Sequence, residues 1–194
     1  MMFKLSRACY AVRYVKHFMS RDTVRTIYFS YFHSILLYVI IFWGNSAYSS
    51  NIFKIQKRII GIIMNGRNRD SCHHLFTNLK ILPLKSQYNF SLLLFLAKNR
   101  DLYDSNSEIH NVNTIFSSDL HTPVANLTTF QKVVLTKKYF GIKVFNHLPT
   151  SIKNTSHDIN QFRSVLKRFL LINSFYSLEE YFACLSVIIL KVNI

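Results

Sequence analysis

The sequence predicts a mainly α fold, and three observations carry that expectation. Only 4 Gly and 3 Pro occur in 194 residues, too few for the tight turns of an all-β chain. Hydrophobic residues make up 49% and aromatics 15%, which supplies a core and argues against disorder. Apolar residues also recur at three-and-four spacing in several segments, as amphipathic helices require. The expected architecture is a helical bundle, then a loop, then a small helical C-terminal module with little strand. In residue terms, 1–103 is the helical domain, 104–130 a linker, 131–182 the C-terminal module and 183–194 an unassigned tail.

The first helix is expected over Leu5 to Phe18, where Leu5, Ala8, Cys9 and Val12 share one face and Lys4, Arg7 and Arg13 lie on the wetter side. Ser20 stands where an N-cap belongs, with Asp22 in the following first turn. A second helix should then run from about Arg21 towards Phe42. Its stretch Ile27 to Trp43 is apolar nearly all round, as a buried central helix would be, and Gly44-Asn45-Ser46 ends it.

The third helix, about Ser49 to Met64, has the clearest periodicity. Ile52, Ile55, Ile59, Ile62 and Ile63 form one stripe, while Lys54, Lys57 and Arg58 fall at i, i+3 and i+4 on the other face. A solvated charged face is the plain reading of such a cluster. Three cations without an acid beside them point equally to phosphate contact. A polar break from Asn65 to Asp70 adds Arg67 and Arg69. A short helix follows from Ser71 to Asn78, and Pro83 starts or precedes a longer one through Leu96.

From Asp101 to Asn126 periodicity is lost and a surface loop is expected. Gln131 to His147 is mixed, with Val133-Val134-Leu135 a candidate short strand and Leu148-Pro149 closing it. Helices should resume at about Asn160 to Leu171 and Ser177 to Cys184.

Lys and Arg total 24 against 9 Asp and Glu, a formal charge of +15. A surplus of that size favours phosphate polymers or an anionic membrane as partner. Cys9, Cys72 and Cys184 are odd in number and far apart, which supports neither a disulfide framework nor a zinc ribbon. Cys72-His73-His74 resembles a metal cluster, but neighbouring side chains on a helix diverge by about 100°, so no metal and no other cofactor is expected. The N-terminus shows no secretory signal, which leaves a nuclear or cytoplasmic location open. Ile27 to Trp43 is shorter than the roughly 20 residues a spanning helix needs, so burial is preferred to membrane insertion.

No active site is evident. The nine acids form no Asp-Asp or Asp-x-Asp pair behind a hydrophobic strand, so two metals have no carboxylates to converge on. Glu179 and Glu180 are neighbours on an expected helix and point apart. No phosphate-binding glycine loop, nucleophile elbow or zinc-protease signature occurs. A binding or scaffolding role is the expectation.

Several blocks, in order along the chain, carry a resemblance. They include Ala8-Cys9-Tyr10-Ala11-Val12-Arg13, Ile27-Tyr28-Phe29-Ser30-Tyr31-Phe32-His33-Ser34, Phe42-Trp43-Gly44-Asn45-Ser46 and Ile52-Phe53-Lys54-Ile55-Gln56-Lys57-Arg58. Further along stand Ser71-Cys72-His73-His74-Leu75-Phe76, Leu79-Lys80-Ile81-Leu82-Pro83, Lys98-Asn99-Arg100, Gly141 through Pro149, and Asn173 through Tyr181. Together they resemble the C-terminal (thumb and post-thumb) region of the reverse transcriptase of jockey-like non-LTR retrotransposons. The resemblance covers about Lys4 to Phe182. It implies a helical, thumb-like bundle from a larger RNA-directed DNA polymerase, holding template RNA or an RNA–DNA duplex beside upstream polymerase domains.

The chain also departs from that family. The palm's aromatic-x-Asp-Asp motif is missing, so polymerase activity does not carry over. Val39 stands where relatives usually have Gly, Gly61 where Arg is common, and Asn113-Thr114-Ile115 lacks an Arg that often follows Asn-Thr. Residues 183–194 have no counterpart. A decayed element opened at an internal Met fits these departures. Three readings therefore stand: a nucleic-acid-binding, non-catalytic polymerase segment using Lys54, Lys57, Arg58, Arg67 and Arg69; a membrane-associated basic helical protein; and a translated relic without function. Should Lys54, Lys57 and Arg58 prove merely solvated, the basic run from Lys132 to Lys143 is the next candidate.

Overall fold

The computed structural model describes residues 1–66, 72–106, 109, 119–122 and 139–184. Of these, 76% are helical and no strand occurs among them, so the chain is mainly α. They fall into two compact units. One comprises Met1–Tyr88 with Phe169–Tyr176, and the other comprises Asn89–Arg168 with Ser177–Ile194 so far as these are described.

The first unit opens with α1, Met2–Val15, whose Leu5, Ala8, Cys9 and Val12 are buried as their spacing predicts. Ser20 caps α2, Arg21–Ile27: its hydroxyl accepts from the Thr23 backbone N–H at 3.3 Å, and Asp22 sits in the first turn. The chain then passes through a π-helical turn, Tyr28–His33, into α3, Ser34–Leu37. The wider turn brings Tyr28 and Phe32 into a stacked pair with centroids 5.3 Å apart, both wholly buried.

The expected continuous, buried helix from Ile27 to Trp43 is corrected here in two respects. It breaks after Leu37: Tyr38 leaves the helical region at ψ 109° and Val39 adopts the left-handed region at φ 51°, before a short α4, Ile40–Trp43. The Trp43 indole N–H donates to the Tyr38 carbonyl at 2.8 Å, satisfying a carbonyl the break would otherwise orphan. One side of the segment is also open, since Tyr31, Leu37, Tyr38, Val39 and Phe42 are exposed. Apolar character all round did not translate into burial all round.

Gly44 follows α4 at a position where a Cβ would strike the Tyr88 ring and come within 2.8 Å of the Ile40 carbonyl, so glycine is required by space. Next, α5 spans Ser49–Met64 and ends on Asn65, which takes a left-handed cap at φ 55°. Gly66 N–H reaches the Gly61 carbonyl at 3.0 Å, closing the last turn. The buried face of α5 is Ile52, Gln56, Ile59, Ile60 and Ile63, against α1, α2 and α6 (His73–Leu79). Ile55 and Ile62, expected in that stripe, are only half-buried, while Gln56 and Ile60 lie inside it.

α7, Leu84–Lys98, begins directly after Pro83. The first unit is completed by the chain returning at Phe169–Tyr176. There the Ser86 hydroxyl donates to the Phe175 carbonyl at 3.1 Å, and the Ser174 and Thr77 hydroxyls lie 3.4 Å apart.

In the second unit, residues 139–146 form α8, Thr150–Lys153 α9, Ile159–Asn173 α10 (its last turn belonging to the first unit) and 178–184 α11. Within the segment expected to be a surface loop, Leu120 is buried. It pairs as an isolated antiparallel bridge with Ser105, and Asn146 clamps its backbone with two bonds of 2.9 Å. The candidate strand Val133-Val134-Leu135 lies outside the described residues.

Candidate nucleic-acid interface

The basic face of α5 is built by its own periodicity. At about 100° per residue, Lys54 lies opposite the buried Ile52–Gln56–Ile59–Ile63 side. Lys54 and Arg58 are exposed and Lys57 is half-buried on the flank. None of the three makes an ion pair with a carboxylate among the described residues. Their charge is therefore directed to whatever lies outside the helix.

Lys57 is more than a solvated cation. Its ammonium sits 4.9 Å from the Phe53 ring centroid and 6.0 Å from that of Tyr176. The Phe53 and Tyr176 rings meet edge to face at 4.9 Å, and His73 stacks on Tyr176 at 3.8 Å with planes 8° apart. The aromatic floor positions the ammonium while leaving its N–H donors available. This use of His73 also accounts for one member of the Cys72-His73-His74 run. Among the described residues, no three His, Cys, Asp or Glu side chains come together as a metal site would need.

Burial pushes the Cys9 thiol up, an effect partly opposed by Arg13 and Arg58, which both lie close enough for their charge to be felt there. Arg13 of α1 and Arg58 of α5 thus each bring a charge within electrostatic reach of Cys9. Sequence spacing held no sign that Arg58 approaches Cys9, since this arises from the packing of α1 on α5. Gly61 continues the same outward ridge, and an added Cβ there would meet nothing within 4 Å.

A separate basic cleft of about 500 Å³ is lined by Arg21, Arg25 and Lys80, with Asp22 its one acid. Arg25 is held firmly: its Nε–H donates to the Leu79 carbonyl at 2.7 Å, and its guanidinium lies 5.0 Å from the Phe29 ring. Lys80 takes a left-handed backbone at φ 54° as the cap of α6. The cleft went unpredicted because α2 and α6 are far apart in the sequence.

Arg67 and Arg69 lie outside the described residues, as does the basic run up to Lys138. Lys143 is exposed, its ammonium 5.2 Å from the Phe182 ring. Glu179 and Glu180 are both exposed on α11. No helix among the described residues is long and apolar enough to cross a membrane. No protein-family model, curated protein or solved structure matches the chain.

Proposed function

We propose that this chain is a non-catalytic segment of an RNA-directed DNA polymerase of the non-LTR retrotransposon kind, holding template RNA or an RNA–DNA duplex by its phosphates. The observation that carries the reading is the α5 ridge: Lys54, Lys57 and Arg58 on one helix, none paired with a carboxylate among the described residues. The mainly helical fold agrees with the thumb-like bundle that the family resemblance implies. The segment would act in the nucleus or cytoplasm next to upstream polymerase domains, and by itself would extend no primer with Mg²⁺ or Mn²⁺.

Binding through phosphates releases condensed counterions, so affinity should fall linearly in log–log form with salt, by about one unit of slope per contact. Changing Lys54, Lys57 and Arg58 together to Gln should flatten that slope by about two to three units for RNA and RNA–DNA duplex. The three side chains take no part in the buried face, so folding should survive, as circular dichroism would verify. An unchanged slope would show that the ridge is only solvated.

A further inference from the structure

The outward face of α1 presents aromatic rings in a row. Phe3, Tyr10 and Tyr14 are 73%, 72% and 66% exposed, and Phe18, in the turn beyond the helix, is 77% exposed. Residues 3, 7, 10 and 14 share one helical face at three-and-four spacing, roughly opposite the buried Leu5, Ala8, Cys9 and Val12. Arg7 fills the remaining place in the row, its guanidinium 5.7 Å from the Phe3 ring. At the far end the Tyr14 and Phe18 rings lie 5.9 Å apart and tilted by 52°. Lys4 and Arg13 flank the row, and α1 contains no acidic residue.

We infer that this face is a stacking platform for unpaired nucleobases, so that the chain binds single-stranded nucleic acid through α1 as well as phosphates through α5. Every base has a π face, and aromatic rings with interleaved arginine planes accept unpaired bases regardless of sequence. Bases inside a duplex are already stacked on one another and cannot use such a row. The cations complement the strand's phosphates, which a neutral or basic protein partner would not do. An interfacial membrane helix would bury a continuous apolar face of Leu, Phe and Trp in lipid; here Arg7 sits within the row itself, interrupting it. From Phe3 to Tyr14 the helix rises about 16 Å, room for roughly four to five nucleotides at about 3.4 Å each. The inference rests on the proposed function only for the kind of polymer bound.

The test uses the full chain with three labelled ligands: a uridine 12-mer, an abasic 12-mer of equal charge, and a 12-base-pair RNA–DNA duplex. Tyr10→Ala with Tyr14→Ala removes two rings that face solvent, and Tyr10→Phe with Tyr14→Phe keeps the π faces. The abasic strand should bind at least tenfold more weakly than the uridine strand. The alanine pair should lose about a hundredfold for the uridine strand at an unchanged salt slope, since each stack contributes about tenfold. The phenylalanine pair should bind like the parent, and duplex affinity should not move for either variant. Equal binding of the abasic and uridine strands, or an alanine pair that binds uridine normally, overturns the inference while leaving the α5 reading intact. Loss of the parent's affinity for phosphatidylserine vesicles in the alanine pair, with RNA binding unaffected, overturns it in favour of a lipid surface. A parent that binds no nucleic acid overturns both readings.

Discussion

Gln56 donates through Nε2 to the Tyr28 hydroxyl at 3.1 Å, and neither side chain has any accessible surface. The same nitrogen donates to the Leu82 carbonyl at 3.0 Å, so one amide ties α5 to the π-helical turn and to the segment before α7. Gln56→Met keeps the length of the side chain and removes both donors. The Leu82 carbonyl and Tyr28 hydroxyl are then left unpaired, which should cost about 1–3 kcal/mol in urea denaturation. Adding Tyr28→Phe should recover part of that loss, because it deletes one of the stranded groups.

Alkaline stability follows from two tyrosines of the same unit. Burial pushes Tyr88 up to about 12 from an ordinary value of 10.0, and raises Tyr28 still further. The folded state keeps these protons while the unfolded chain releases them above about pH 10. Stability should therefore be full below pH 10 and fall as pH rises from there towards 12, by about 1.4 kcal/mol per pH unit for each tyrosine. Denaturation midpoints taken between pH 8 and 11.5 should show this decline, and Tyr88→Phe should make it shallower.

Val39 holds φ at 51°, a conformation that costs a β-branched residue roughly 1–2 kcal/mol and glycine almost nothing. Its side chain is 45% exposed, so little packing is lost on removal. Val39→Gly should raise the urea midpoint, with a net gain of about 1 kcal/mol after the added freedom of the unfolded chain is subtracted. Glycine is also the residue that the resembled family usually has at this position.

Gly61 lies within α5, where a Cβ meets open space. Gly61→Ala should stabilise the helix by about 0.5–1 kcal/mol, readable as a higher melting temperature. Gly61→Arg should add to that a fourth cation on the α5 ridge and steepen the salt dependence of RNA binding by about one unit.

Much of the fold was legible because local signals carried it. The Ser20 cap, the bounds of α5 and the start of α7 after Pro83 all follow from cap chemistry and three-and-four spacing. Ile27 to Trp43 misled because apolarity alone does not tell an inward Phe32 from an outward Tyr31 or Tyr38. A valine at φ 51° leaves no trace in residue preferences, which place valine elsewhere. In the candidate site, Lys54, Lys57 and Arg58 were visible as a face. The partner that shapes it, Tyr176 beside Lys57, comes from a distant part of the chain and needed the tertiary structure. Gln56 did leave a signal: a lone amide four residues after Ile52 and three before Ile59, inside an apolar face.

The return of Phe169–Tyr176 to the first unit has a consequence for synthesis. Phe175 and Tyr176 lie some 88 residues beyond Tyr88, where the unit's first stretch ends. A ribosome adding about 5–20 residues per second needs roughly 4–18 s to cover that distance. Throughout that interval the rings of Phe53, Phe76 and His73 stand without Tyr176, on a nascent chain whose amino-terminal helices are already made. The first unit is therefore the earlier to begin folding and cannot finish until Tyr176 has been translated.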